Sequence, residues 1–155
     1  MTDICIFQSP LGRLKICTSN EGVTEVSITD EKEKEPDISG GTADKTRREL
    51  KEYFAKERTE FDLPLCPSGT EFQKKVWMEL TKIGYGQTKS YEEIAEKIGS
   101  VKAVRAVGQA NHKNPILIMI PCHRVIRKDG KIGGYGLGVD AKRMLLELEG
   151  RRKVY

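Results

Sequence analysis

No stretch of the sequence approaches the ~18 consecutive apolar residues that a membrane-spanning helix requires, which excludes that class; no membrane partner is expected. The start, Met1-Thr2-Asp3-Ile4-Cys5, has neither the basic stretch nor the apolar core of about 7–15 residues that secretion requires. The expectation is therefore a cytoplasmic protein, or a nuclear one in a eukaryote. Histidine is scarce, with only His112 and His123, and the four cysteines (Cys5, Cys17, Cys66, Cys122) contain no C-x-x-C pair. That spacing argues against a zinc knuckle and a disulfide scaffold and for reduced thiols. No metal and no cofactor are expected. The 37% hydrophobic content is too high for a disordered tail, and a chain of 155 residues can bury about 68–70% of its unfolded surface.

Charge is unevenly distributed. Residues 1–66 hold 10 Lys/Arg against 14 Asp/Glu, a net of −4, whereas residues 67–155 hold 17 against 9, a net of +8. A basic half points to a polyanion such as nucleic acid, and equally to a solvated face. Between residues 89 and 128 the imbalance sharpens to eight Lys/Arg against three Glu.

Apolar alternation at Ile4/Ile6, Leu14/Ile16 and Val23/Val26/Ile28, punctuated by Ser9-Pro10, Gly12 and Asn20-Glu21-Gly22, predicts a small antiparallel sheet. The charged segment from Asp30 to Gly41 reads as a loop. Thr42 or Asp44 can cap a helix to about Glu57 with Leu50, Tyr53 and Phe54 on one face. Pro64 and Pro67 mark a boundary, giving an N-terminal domain over 1–66 and a second over 67–155. There, Thr70 and Gln73 are spaced as a capping box for a helix carrying Phe72, Val76, Leu80 and Ile83, with Trp77 beside that stripe. Ser90 opens a short helix, Gly99-Ser100 ends it, and Val101 to Asn111 forms the next. The fold class is thus α+β: a small N-terminal antiparallel sheet with a helix, followed by a helical C-terminal domain. Two short helices with a glycine between them have the outline of a helix-turn-helix, as do many helix pairs that are only packed core.

Ile116 to Ile120 is a continuous apolar run suited to a buried strand, and Pro121-Cys122-His123-Arg124 follows it directly. Cys122, with basic neighbours, is the candidate nucleophile, because positive charge favours thiolate over thiol. Its bland counterpart is a buried structural cysteine, which fits Cys5, Cys17 and Cys66. In an extended chain Cys122 and His123 point to opposite faces, so a direct ion pair needs a local turn or a bridging water. His123 also needs an orienting acceptor, and Glu149 is the candidate. It closes a helix from about Val139 with Met144, Leu145 and Leu148 inward; a solvated Glu149 is the alternative. The segment Gly133-Gly134-Tyr135-Gly136-Leu137-Gly138 lacks the Lys-Ser/Thr ending of a phosphate cradle and suits a wall over a flat substrate.

The ordered set of Ser90-Tyr91, Arg105-Ala106-Val107-Gly108, Asn114-Pro115, Pro121-Cys122-His123-Arg124-Val125, Gly133-Gly134-Tyr135 and Leu145-Leu146-Glu147-Leu148-Glu149-Gly150 resembles the O6-alkylguanine-DNA alkyltransferase family, over roughly Phe72 to Gly150. That resemblance implies a winged-helix-like DNA-binding unit and single-turnover repair, in which the alkyl group on guanine O6 passes to Cys122. It further implies that His123 draws the thiol proton through a water, that Glu149 orients His123, that Tyr91 donates toward guanine N3, and that Asn114 organises the turn. Arg105 would fill the gap left by a flipped nucleotide. The helix bearing Ala103, Ala106 and Ala110, with Arg105 and Gln109, would lie in the minor groove. Tyr91 and Arg124 would also face DNA, and the Val125 carbonyl with Tyr135 and Gly136 would hold the base. The implied partner is duplex DNA containing O6-alkylguanine, met by a monomer. Gly136 stands where many relatives carry serine, and Leu117 where several carry proline. Rival classes are a DNA-binding protein without transfer chemistry and a thiol hydrolase or redox protein.

Overall fold

The computed structural model describes residues 2–134 and 138–150. It divides after Ser68 into two units: residues 1–68 with 115–117, and residues 69–114 with 118–155. The return of 115–117 to the first unit was not expected from the sequence.

In the first unit, β1 (Asp3–Ser9), β2 (Gly12–Thr18) and β3 (Val23–Ile28) form an antiparallel sheet in the order β1-β2-β3. The register pairs Cys5 with Ile16 and Leu14 with Ile28. The helix α1 (Thr42–Phe54) packs on β1 and β2. Its buried positions Ala43, Thr46, Leu50 and Tyr53 recur at helical spacing, while Phe54, expected inward, is half-buried. Gly41, rather than Thr42 or Asp44, occupies the N-cap. The charged segment runs as a loop except at Lys34, which pairs with Ile6 along the sheet edge. Residues 115–117 lie beside β3, where Val26 N–H donates to the Pro115 carbonyl and Leu117 N–H to that of Val26, both at 3.0 Å.

The second unit contains α2 (Glu71–Leu80), α3 (Tyr91–Lys97), α4 (Val104–His112) and α5 (Val139–Leu148), with a two-residue parallel pairing of β4 (Lys89–Ser90) and β5 (Val125–Ile126). The Thr70–Gln73 capping box is present in both directions, and the Ser90 hydroxyl accepts from Glu93 N–H at the start of α3. Trp77 is 2% exposed and donates from Nε1 to the Ala110 carbonyl at 2.8 Å, locking α2 onto α4. A Cβ at Gly69 would fall 2.6 Å from the Trp77 ring, so only glycine fits there. Gly99, at φ 77°, supports the turn between α3 and α4. Among the described residues no helix is long and apolar enough to cross a membrane.

Two sequence expectations are corrected. Residues 116–120 are buried as anticipated but form a single bridge at Ile116 and then turns, not a strand. Ile118 sits at φ 72°, a conformation that no regular strand accommodates and that a β-branched side chain rarely adopts. The second helix of the pair begins at Val104 rather than Val101, because residues 101–103 make the connecting turn.

Candidate active site

Pro121 turns the chain (φ −80°, ψ 65°) into one 3-10 turn, Cys122–Arg124, closed by Arg124 N–H donating to the Pro121 carbonyl at 2.9 Å. About three residues per turn sets successive side chains roughly 120° apart rather than on opposite faces. The turn thus removes the obstacle an extended chain would have imposed on Cys122 and His123. Asn114 steadies its approach by donating from Nδ2 to the Ile120 carbonyl at 2.7 Å, and Asn111 Nδ2 reaches the Cys122 carbonyl at 3.4 Å.

His123 is completely buried, and its Nε2 lies 2.6 Å from Glu149 Oε2. Glu149 occupies the C-cap of α5, where the helix dipole disfavours an anion. Arg124 compensates: Nε donates to Oε1 at 2.8 Å and Nη2 to Oε2 at 3.0 Å, while Nη1 holds the Ile83 carbonyl at 2.7 Å. The Gly86 N–H adds a further bond to Oε1 at 3.2 Å. An ionised carboxylate in this setting only accepts, so the imidazole proton sits on Nε2. Nδ1 is left as an acceptor, buried and without a hydrogen-bond partner among the described residues. Burial pushes the His123 pKa below its usual value, outweighing the opposing pull of Glu149, so the ring is neutral at pH 7 and able to take a proton.

Arg124 is thereby corrected. Expected among the groups facing DNA, it is 6% exposed and committed to Glu149 and Ile83. Met144, expected inward, is 39% exposed, whereas Lys142 is wholly buried. Sequence reasoning missed Lys142, although 142, 145, 146 and 149 share one helical stripe while 144 lies off it. Its ammonium donates to the Val125 carbonyl at 2.6 Å and the Gly134 carbonyl at 3.0 Å, and stands 5.8 Å from the centre of the Tyr91 ring. One Val125 lone pair is therefore already engaged. Burial lowers the Lys142 pKa to about 8, with Cys122 opposing the shift.

A stability prediction follows from that shift. Between pH 8 and the ordinary value of 10.5 the unfolded chain holds a proton on Lys142 that the folded chain has lost. Stability relative to Lys142→Met should therefore rise with pH across this window. Urea unfolding of both proteins from about pH 7.5 to 10.5, a range that spans both values, measures it; a flat difference would refute the assignment.

Tyr91 opens α3, and burial, reinforced by charge on Cys122, pushes its phenol up, so it remains protonated as a donor. A Cβ at Gly133 would lie 3.2 Å from the Tyr91 hydroxyl, and Gly133 adopts φ +75°, so a side chain there would crowd this donor. Arg105 and Gln109 are exposed on α4 and line an open groove of about 760 Å³ with Tyr91, Lys113, Arg127 and Lys128. The alanine stripe is only partly there: Ala106 is exposed and Ala103 half-buried, but Ala110 is 2% exposed beneath Trp77, which corrects its expected place on the DNA-facing side. Tyr135 and Gly136 lie outside the described residues. Among the described residues no group of three or more His, Cys, Asp or Glu is placed to hold a metal ion. Cys5, Cys17 and Cys66 are free thiols, and burial pushes Cys5 up to about 11, which keeps it unreactive.

A cysteine on a tight turn, a neutral histidine whose outer nitrogen is tied to a carboxylate, and a helix pair beside a basic groove define a DNA-binding protein with a thiol acceptor. Sequence comparison agrees. Residues 71–151 match the family described as 6-O-methylguanine DNA methyltransferase, DNA binding domain, and residues 5–67 match its ribonuclease-like domain. The chain is 48% identical over 150 residues to the methylated-DNA–protein-cysteine methyltransferase of Methanosarcina acetivorans, covering 94% of this chain and 96% of that one. Among solved structures, the O6-methylguanine methyltransferase of Mycobacterium tuberculosis superposes with a TM-score of 0.86 at 43% identity, over 99% of this chain and 95% of that one. A structure of M. tuberculosis OGT in complex with DNA gives 0.85 at 44% identity, over 96% and 93%. The chain belongs to the 6-O-methylguanine-DNA methyltransferase family.

Proposed function

We propose that this protein repairs duplex DNA by moving the alkyl group of O6-alkylguanine irreversibly onto Cys122, one turnover per molecule. The observation that carries this reading is the neutral, buried His123 whose Nε2 is fixed on Glu149 and whose Nδ1 is left as an acceptor next to Cys122 in sequence. An SN2 displacement at an sp³ carbon needs a thiolate nucleophile and a leaving group that can be protonated. His123 takes the Cys122 proton, the thiolate sulfur bonds the alkyl carbon as the carbon–O6 bond breaks, and the Tyr91 phenol donates toward the departing guanine.

The base reaches this site by leaving the stack, at a cost of a few kcal/mol. Arg105, exposed on α4, offsets part of that cost by occupying the gap. Few side chains on α4 are of the kind that read base edges, and the small Ala106 allows close backbone approach, so sequence preference is weak. Lys113, Arg127 and Lys128 supply phosphate contacts along the groove. The protein acts as a monomer in the cytoplasm, in keeping with its free thiols.

Incubation with duplex DNA carrying O6-methylguanine, followed by peptide mass analysis, should give one methyl group per chain on the Cys122 peptide. Absence of a stoichiometric adduct would overturn the reading. Arg105→Ala should slow repair of duplex DNA about tenfold or more while leaving the thiol intact, since a few kcal/mol of flipping energy is at stake.

A further inference from the structure

Asn111, in the last turn of α4, is 4% exposed and has no part in the scheme above. Its amide orientation is fixed by chemistry: the Cys122 carbonyl can only accept, so Nδ2 faces it, at 3.4 Å. Oδ1 on the same carboxamide is then a buried acceptor, and it has no hydrogen-bond partner among the described residues. Four buried side-chain polar atoms share that condition there: Arg47 Nε, Glu92 Oε2, Asn111 Oδ1 and His123 Nδ1. Two of the four belong to residues that flank one peptide group, the Cys122–His123 link, and both are acceptors. A buried acceptor left unsatisfied costs about 1–3 kcal/mol, and two of them on residues that meet at the Cys122–His123 peptide call for a donor that one small molecule can supply to both. Water is the smallest molecule with two donors, and a buried water typically makes two to four hydrogen bonds.

We propose that Asn111 is a positioning residue for alkyl transfer: Nδ2 holds the Cys122 carbonyl, and Oδ1 orients the water through which the Cys122 thiol passes its proton to His123 Nδ1. The inference rests on the functional reading above. The water accepts from the thiol and points one O–H at His123 Nδ1 and the other at Asn111 Oδ1. In the transfer the S–H bond breaks, the water oxygen takes that proton as it releases another to Nδ1, and a thiolate, a water and an imidazolium result. Oδ1 keeps its hydrogen bond throughout, so it fixes the water without itself exchanging a proton. Because Asn111 sits on the helix that carries Arg105, the same residue ties the thiol's proton path to the DNA-facing element.

Two measurements test this. A high-resolution crystal structure of the unmodified protein should contain a water within hydrogen-bond distance of both Asn111 Oδ1 and His123 Nδ1; a protein donor on Oδ1 would overturn the proposal without any variant. In Asn111→Leu, which matches the volume and removes both polar arms, single-turnover methyl transfer at saturating lesion DNA should fall about tenfold or more, the scale of a proton-transfer contribution. Lesion affinity should stay within about twofold, and the pH midpoint for Cys122 alkylation by iodoacetamide should rise. A wild-type transfer rate with an unmoved midpoint overturns the proposal, as does a rate loss fully explained by weaker DNA binding. If the wild-type protein carries no methyl onto Cys122, the functional reading fails instead, and the crystallographic water is judged separately.

Discussion

Cys122→Ala should bind duplex DNA containing O6-methylguanine with affinity close to that of the wild-type chain and transfer nothing. The expected loss is complete rather than graded, because in the proposed transfer the sulfur is the atom to which the alkyl carbon becomes bonded, and among the described residues the other thiols lie elsewhere. Cys5 is in β1, Cys17 in β2, and Cys66 hydrogen-bonds through its backbone to Val23. The turn at Cys122 is closed by the backbone bond from Arg124 N–H to the Pro121 carbonyl, which alanine leaves in place. Gel-shift titration paired with transfer of a labelled methyl group measures both halves of the expectation. Residual transfer would show that another residue accepts the alkyl group, whereas lost lesion binding would show that the thiol also supports the fold of the pocket.

Arg124→Leu should be the most destabilising single change at the site. Glu149 side-chain oxygens are fully buried, and Arg124 supplies two of their hydrogen bonds and the only full positive charge in direct ion-pair contact among the described residues. Removing one partner of a buried pair leaves the other uncompensated, a change that costs about 3–5 kcal/mol. The carboxylate would then lose the two donors that fix its orientation, and with that orientation goes its hold on the His123 tautomer. Stability and transfer should fall together, visible as a lower urea midpoint and a slower single-turnover rate. Arg124→Lys should recover little of either, because an ammonium cannot reproduce two parallel N–H donors. Near wild-type stability in Arg124→Leu would mean that His123 and the Gly86 N–H suffice to hold the carboxylate.

Much of this protein is readable from residue order because the relevant interactions are local. The Thr70–Gln73 and Ser90–Glu93 caps connect residues three apart, and the period-2 pattern of the first three strands reflects one face turned to a core. The Pro-Cys-His-Arg sequence and the Leu-Glu-Gly that ends the last helix likewise mark the proposed acceptor and its distant carboxylate through the company they keep. Local pattern failed at Ile116–Ile120, where apolar continuity suggested a strand. Those residues are buried, as a strand would be, but the chain turns at Ile118. Burial depends on composition, whereas conformation there depends on which neighbours the backbone can bond.

What the sequence by itself determined is the list of chemical groups, the number and order of the long helices to within a few residues at their ends, and the separation of an acidic half from a basic one. Tertiary structure alone decided which charged groups are reagents and which are scaffold. Arg124 was expected to face DNA and Lys142 carried no expectation, yet the first closes on a carboxylate 25 positions away and the second on a carbonyl 17 positions away. A charged side chain is soluble wherever water reaches it, so its sequence context carries no mark of burial. Only the packing that excludes water makes a partner obligatory and thereby fixes the proton on His123.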